Sequence, residues 1–213
     1  MPATWVVTSA TTPLLHLQGT THFISIDGAD AQTHNAIRQS PGLYERVIKN
    51  LTKARSRGTF PVVIHSVLNA INHNQIEPIL AAWRNSGLAD GVIFSTATPI
   101  RGMGESLALT TEQRRGVAVG LLSAKEKFGT FLAMSPQMIG QLDPVVTAKQ
   151  TPELCPTAQR VPSYDAAGNR ISQCILGEKA DCSACGCVIT AMFEPFLRFD
   201  FATWRIIASL YTP

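Results

Sequence analysis

The chain has no cysteine before Cys155 and is poor in charge: Asp, Glu, Lys and Arg make up 15% of its 213 residues. Little charge together with thirteen prolines does not amount to disorder, because the 45% of residues that are hydrophobic fall in periodic blocks able to close a core. The net charge of +3 is spread along the sequence, which removes the compositional argument for a nucleic-acid partner. No apolar run approaches the ~18–20 residues that a membrane span needs. Residues 188–211 come nearest, and Glu194, Arg198, Asp200 and Arg205 interrupt them. No basic flank precedes the short apolar run within residues 1–10, so a secretion signal is not expected. A chain of this length buries roughly 70% of its unfolded surface and can do so without disulfides. The expected location is a reducing cytoplasm, where thiols stay available to metals.

What is present begins with an alternation. Residues 5–9 form a short β-branched and aromatic run that reads as a buried strand, and residues 22–27 form a second, stopped by Asp27-Gly28. Asp30 is placed to cap a short helix over residues 30–37, which Ser40-Pro41-Gly42 breaks. An amphipathic helix over 43–57 follows, with Leu43, Val47, Ile48, Leu51 and Ala54 at helical spacing. Strands are expected at 60–68 and 91–96, helices at 74–86 and from Thr110 or Thr111 to Phe128, and a last strand at 130–134. Short apolar strands separated by helices predict parallel pairing through right-handed crossovers, so residues 1–142 read as an α/β domain. In such folds, functional groups gather at the carboxyl ends of strands. Those ends carry Thr8-Ser9, Ser25 to Asp27, Ser66 to Asn69 and Ser95 to Thr98. A sheet that opens directly with residues 5–9 also presents a raw edge.

From residue 143 the composition changes. Residues 144–152 read as a linker, and 143–213 as a Cys-rich tail ending in one helix over 193–210. Residues 161–164 and 169–172 flank Asp165-Ala-Ala-Gly168 as a β-hairpin, which would bring Cys155 and Cys174 together. Cys182, Cys185 and Cys187 follow, so four cysteines fall within fourteen residues. An odd count packed in this way suits a metal site better than a disulfide framework. Zinc and iron–sulfur clusters both accept four thiolates, and spacing alone does not choose between them. Only Gly186 separates Cys185 from Cys187, so Cys187 competes for the fourth ligand place.

In order, these segments resemble the radical S-adenosylmethionine (radical SAM) superfamily. The resemblance rests on His22 to Gly28, on Thr33-His34 with Arg38, on Tyr44 to Asn50, and on Val62 to Asn69 with Asn72 and Asn74. The hairpin with Cys155 and Cys174 resembles the auxiliary-cluster appendage called SPASM or twitch, although five residues, where that pattern has four, separate Gly168 from Cys174. The resemblance implies a partial (β/α)6 barrel, a [4Fe-4S] cluster and bound S-adenosylmethionine as source of a 5′-deoxyadenosyl radical, acting on an unspecified substrate. It implies Ser25 and Asp27 at the ribose, Ser66 and Asn69 at the methionine or ribose, and Ser95 to Thr98 facing the adenine. It also implies Cys155, Cys174, Cys182 and Cys185, with Cys187 as alternative, around an auxiliary cluster.

The family's Cys-x-x-x-Cys-x-x-Cys and its Gly-Gly-Glu segment are both missing from this sequence. The first strands of the barrel are therefore expected to be lacking. A preceding segment or a partner chain would cover the sheet edge, and this chain alone is expected to be inactive. Two other readings stay open: a non-catalytic remnant or split half that binds a partner and a cluster, and a zinc-stabilised α/β binding domain. His22, His34 and His65 are expected to pack or hydrogen-bond, Arg38 to form an ion pair, Ser135-Pro136 to start a helix, and residues 101–105 to turn or to close over a substrate.

Overall fold

The computed structural model describes residues 4–15, 17, 19–58, 60–103 and 105–211, with backbone alone at 105 and 211. Four strands form one parallel sheet in sequential order: β1 (Thr4–Thr8), β2 (Thr20–Ser25), β3 (Val62–Leu68) and β4 (Gly91–Thr96). Between β2 and β3 lie α1 (Ala31–Ile37) and α2 (Leu43–Arg55); α3 (Ile76–Ser86) follows β3 and α4 (Thr111–Phe128) follows β4. The chain is thus mixed α/β, as its alternation of strand and helix patterns implies. The segment expected as a last strand makes a 3-10 turn at Gly129–Phe131 and then a single parallel bridge, Val92 to Leu132. Ala133 N–H donates to the Val92 carbonyl at 2.8 Å.

Local chemistry explains the helix boundaries. The Asp30 carboxylate accepts from Thr33 N–H at 2.8 Å and starts α1. Thr110 and Gln113 form a reciprocal capping box at the start of α4. On α2, Leu43, Val47, Leu51 and Ala54 are buried and Lys and Arg lie opposite; each buried leucine or valine contributes roughly 1.5–3 kcal/mol.

The tail departs from expectation in two places. Residues 144–152 are not a free linker: Asp143 caps α6 (Pro144–Thr147), and Thr147 is buried. The single terminal helix is two, α8 (Val188–Leu197) and α9 (Phe201–Tyr211). Phe199 at φ 59° breaks the run, and Asp200 then accepts from Thr203 N–H at 2.8 Å to begin α9. Ser135 caps α5 (Pro136–Gly140), as Ser-Pro predicts, and α7 (Pro156–Arg160) follows Cys155. The hairpin forms as β5 (Ser163–Tyr164) and β6 (Arg170–Ile171).

Both sheet faces are covered. Every crossover steps in one direction, so right-handed connections lay α2, α3 and α4 on a single face. By register and pleat, Thr21, Ser25, His65, Val67 and Ser95 share the other face. There Thr21 Oγ1 donates to the Leu210 carbonyl, and Ser95 Oγ accepts from Val188 N–H at 3.2 Å. Val188, Ala191, Met192 and Leu210 belong to the same buried cluster as Phe23, Val63 and Ile93 of that face. β1 is an outer strand with Val7 exposed. Among the described residues no helix is long and apolar enough to cross a membrane.

Candidate metal centre

The tail crosses the carboxyl end of β4, and this crossing builds the site. Thr96 N–H donates to the Gly186 carbonyl at 3.0 Å, and Gly186 N–H donates to Thr98 Oγ1 at 2.9 Å. A Cβ on Gly186 would stand 2.0 Å from the Thr96 carbonyl oxygen. The Cys185-Gly186-Cys187 spacing therefore records backbone laid against backbone. Below it, Asp181 N–H donates to the Pro99 carbonyl at 2.9 Å and Arg101 N–H to the Lys179 carbonyl at 3.0 Å. The loop after β4 is thereby tied to the tail, and Gly102 sits in its turn at φ 77°. Gly104, within the segment expected to turn or close, lies outside the described residues.

All five cysteines line one cavity of about 200 Å3, together with Thr98. Cys155 is buried at the N-cap of α7. Its sulfur lies 3.7 Å from Thr190 Oγ1. All five are free thiols. Burial pushes the Cys182 thiol pKa up, and the negative charge that Cys174 and Cys155 would carry adds to this. Burial raises Cys185 to about 11; a hydrogen bond from the Cys187 backbone opposes this, and the charges that Cys187 and Cys155 would carry add to it. Thiols that repel one another's charge across a shared space are neutral by themselves, and a bound metal reverses that preference by stabilising the thiolates. Among the described residues, no three His, Cys, Asp or Glu side chains converge tightly enough to hold one metal ion. A tetrahedral zinc would draw its sulfurs to ~3.8 Å from one another, given Zn–S bonds of ~2.3 Å. A cluster places each thiolate on a different iron, so its sulfurs ring a space. Thiols are donors that zinc and an iron–sulfur cluster both accept, and all five line this one cavity.

A buried cation grips the backbone that carries Cys185. Arg114 of α4 is 4% exposed and donates to the Ala184 carbonyl at 2.7 Å, the Cys185 carbonyl at 3.0 Å and Thr147 Oγ1 at 3.2 Å. Burial lowers its pKa, and the charges of Cys185, Asp181 and Asp143 oppose that. Sequence reasoning missed it, although a signal existed: Arg114 occupies the buried stripe of α4 with Val117, Ala118 and Leu121.

The residues expected at S-adenosylmethionine lie at the strand ends, and most are engaged with the protein itself. Asp27 is buried; its Oδ1 accepts from Val67 N–H at 2.9 Å and its Oδ2 pairs with Arg38 Nε at 2.7 Å. Asn69 accepts from Ile71 N–H at 2.9 Å, and Asn72 Nδ2 donates to the Asp27 carbonyl at 2.7 Å. Ser95 Oγ lies 2.8 Å from His65 Nε2, and burial lowers the pKa of His65. Ser95 and Thr98 meet the tail, as given above. Ser25 is half-buried at the end of β2. Ser66 is fully buried, and its Oγ is a buried hydroxyl without a hydrogen-bond partner. His34 Nδ1 accepts from Asp27 N–H at 3.0 Å, which assigns His34 to the framework. Comparison with protein-family models gives no match, and comparison with curated proteins gives none either.

Proposed function

We propose that this chain is an iron–sulfur protein of the radical SAM kind, in which Cys155, Cys174, Cys182 and Cys185, with Cys187 as alternative, hold an auxiliary [4Fe-4S] cluster. One observation carries the reading: five cysteines separated by up to 32 positions in sequence line a single cavity. Such a cluster supplies an electron-transfer centre when bound. The sequential order of four parallel strands is compatible with part of a (β/α)6 barrel, and β1's outer edge is where a partner chain or further strand would add. Ser25 and Ser66 are the groups with most capacity left for S-adenosylmethionine, and the substrate would be a small molecule or peptide held in the cytoplasm.

A second reading is favoured by a separate observation. Asp27, Asn69, Ser95 and Thr98 already have protein partners. That suits a non-catalytic half, which carries a cluster without binding S-adenosylmethionine. Both readings share one test. The purified chain is reconstituted anaerobically with ferrous iron and sulfide, and iron, acid-labile sulfide and zinc are then measured. The expected result is about four irons and four sulfides per chain; zinc without sulfide would support the zinc-stabilised domain instead. Reductant and S-adenosylmethionine are added next. No 5′-deoxyadenosine above the buffer control is expected from a sequence without Cys-x-x-x-Cys-x-x-Cys. Its appearance would overturn the inactivity of the isolated chain.

A further inference from the structure

Arg114 presents an energetic problem that the rest of the fold solves only in part. Its guanidinium is buried and every hydrogen-bond partner it has is neutral: the carbonyls of Ala184, Cys185 and Leu142 and the hydroxyl of Thr147. Its Nε is buried without a hydrogen-bond partner. Among the described residues it makes no ion pair within 4.0 Å. An isolated cation is among the most costly groups to bury, and proteins that retain one generally supply a counter-charge. Asp143 and Asp181 attract it from a distance, and neither pairs with it within 4.0 Å. The Asp143 carboxylate caps α6 through Val145 N–H at 2.8 Å, and that of Asp181 accepts from Ser183 N–H at 3.0 Å. What the guanidinium grips is the backbone of Ala184 and Cys185, the stretch that turns two thiols toward the cavity.

We propose that Arg114 is the built-in counter-ion of the thiolate-bound group, and that it both fixes the Cys185 backbone and stabilises the added electron when that group is reduced. This rests on the cluster reading above. Four thiolates around a [4Fe-4S] core carry net negative charge, which grows by one on reduction. A fixed buried cation therefore favours the reduced state, because the low dielectric around it leaves their attraction weakly screened. Arginine suits the place better than lysine, since its planar fork reaches two successive carbonyls together with Thr147.

The test is the midpoint potential of the reconstituted cluster, read by spectroscopy during a dye-mediated redox titration. Wild type is compared with Arg114→Gln, which keeps hydrogen-bond donors and removes the charge, and with Arg114→Lys, which keeps the charge. A second route avoids truncating the arginine: Thr147→Asp gives the guanidinium a carboxylate and cancels its field while the side chain stays in place. R114Q and T147D are each expected to disfavour reduction about tenfold, a fall of about 59 mV for one electron. R114K is expected to recover most of the difference. Should R114Q fail to fold, T147D alone decides. Cluster-loaded variants with unchanged potential would overturn the proposal and leave the cluster reading intact. A wild-type chain that takes up no iron and sulfide would overturn both.

Discussion

Asp27 and Gly186 are short polar or small residues whose roles are set by what approaches them. At Gly186 a methyl group would press on the Thr96 carbonyl, which is backbone in the end of a buried strand and cannot swing away. Gly186→Ala is therefore expected to cost about 1–3 kcal/mol as an overpacking change and to shift Cys185 and Cys187 away from the cavity. Denaturant unfolding measures the first effect, and iron retention after reconstitution measures the second. That the cysteines gather in one place was legible from their spacing. The identity of the neighbouring cation was not, because Arg114 and Cys185 lie 71 positions apart and no local pattern joins them. The fate of Asp27 was hidden for the same reason. Its expected ribose contact came from the family resemblance; in the structure the β3 backbone engages one of its oxygens and Arg38 the other.

His34 adds a titration at this scale. It is buried, and burial lowers its pKa below the ordinary 6.5. Its neutral form accepts from Asp27 N–H, a bond that protonation abolishes. The folded chain thus resists a proton that the unfolded chain binds, so stability falls as pH drops below about 6.5. The fall continues until the folded-state pKa is passed, with a limiting slope of about 1.4 kcal/mol per pH unit for one proton. His65 shifts in the same direction and adds to the slope. His34→Gln offers an acceptor that does not titrate. Urea midpoints between pH 7 and pH 5 should decline less steeply in that variant than in wild type; parallel curves would mean that His34 is not the sensor.

Among the elements, the helices were the more legible, since their caps and apolar stripes are local. Asp30, Thr110 and Ser135 each start the helix their chemistry predicts. The tail was less legible because its order comes from distant partners. Residues 144–152, bounded by Pro144 and Pro152, read as a linker, yet Thr147 is held by Arg114 of α4. The joint between β2, β3 and α1 shows how few groups can hold three elements. Asp27 reaches Val67 N–H in β3 with one oxygen and Arg38 at the end of α1 with the other. Asp27→Asn should turn one of these contacts into donor facing donor. The expected loss is about 1–3 kcal/mol, the cost of an unsatisfied buried partner, read as a lower urea midpoint. The half-exposed side of Arg38 can turn to water, which keeps the loss below that of a fully buried pair.

At the scale of the whole molecule the question is whether the tail is an appendage or a wall. The sheet has two apolar faces and its own crossover helices can cover only one. The other face meets α8 and α9, which bury Val188, Ala191, Met192 and Leu210 in the same cluster as the strands. Two polar side chains on that face, Thr21 and Ser95, take partners from Leu210 and Val188. Ser135 and Thr203 lie 2.7 Å apart across a further seam, both fully buried. A fragment ending at residue 142 would leave these hydroxyls and the face around them to water. The full chain is accordingly expected to unfold in a single transition, with near-ultraviolet circular dichroism and far-ultraviolet circular dichroism losing signal together. The fragment over residues 1–142 is expected to keep helical signal but no cooperative melt, and to be cut rapidly by chymotrypsin within the strands. A fragment that melts sharply and resists the protease would show that residues 1–142 stand alone, and that the thiol centre is carried by an independent unit docked on the end of β4.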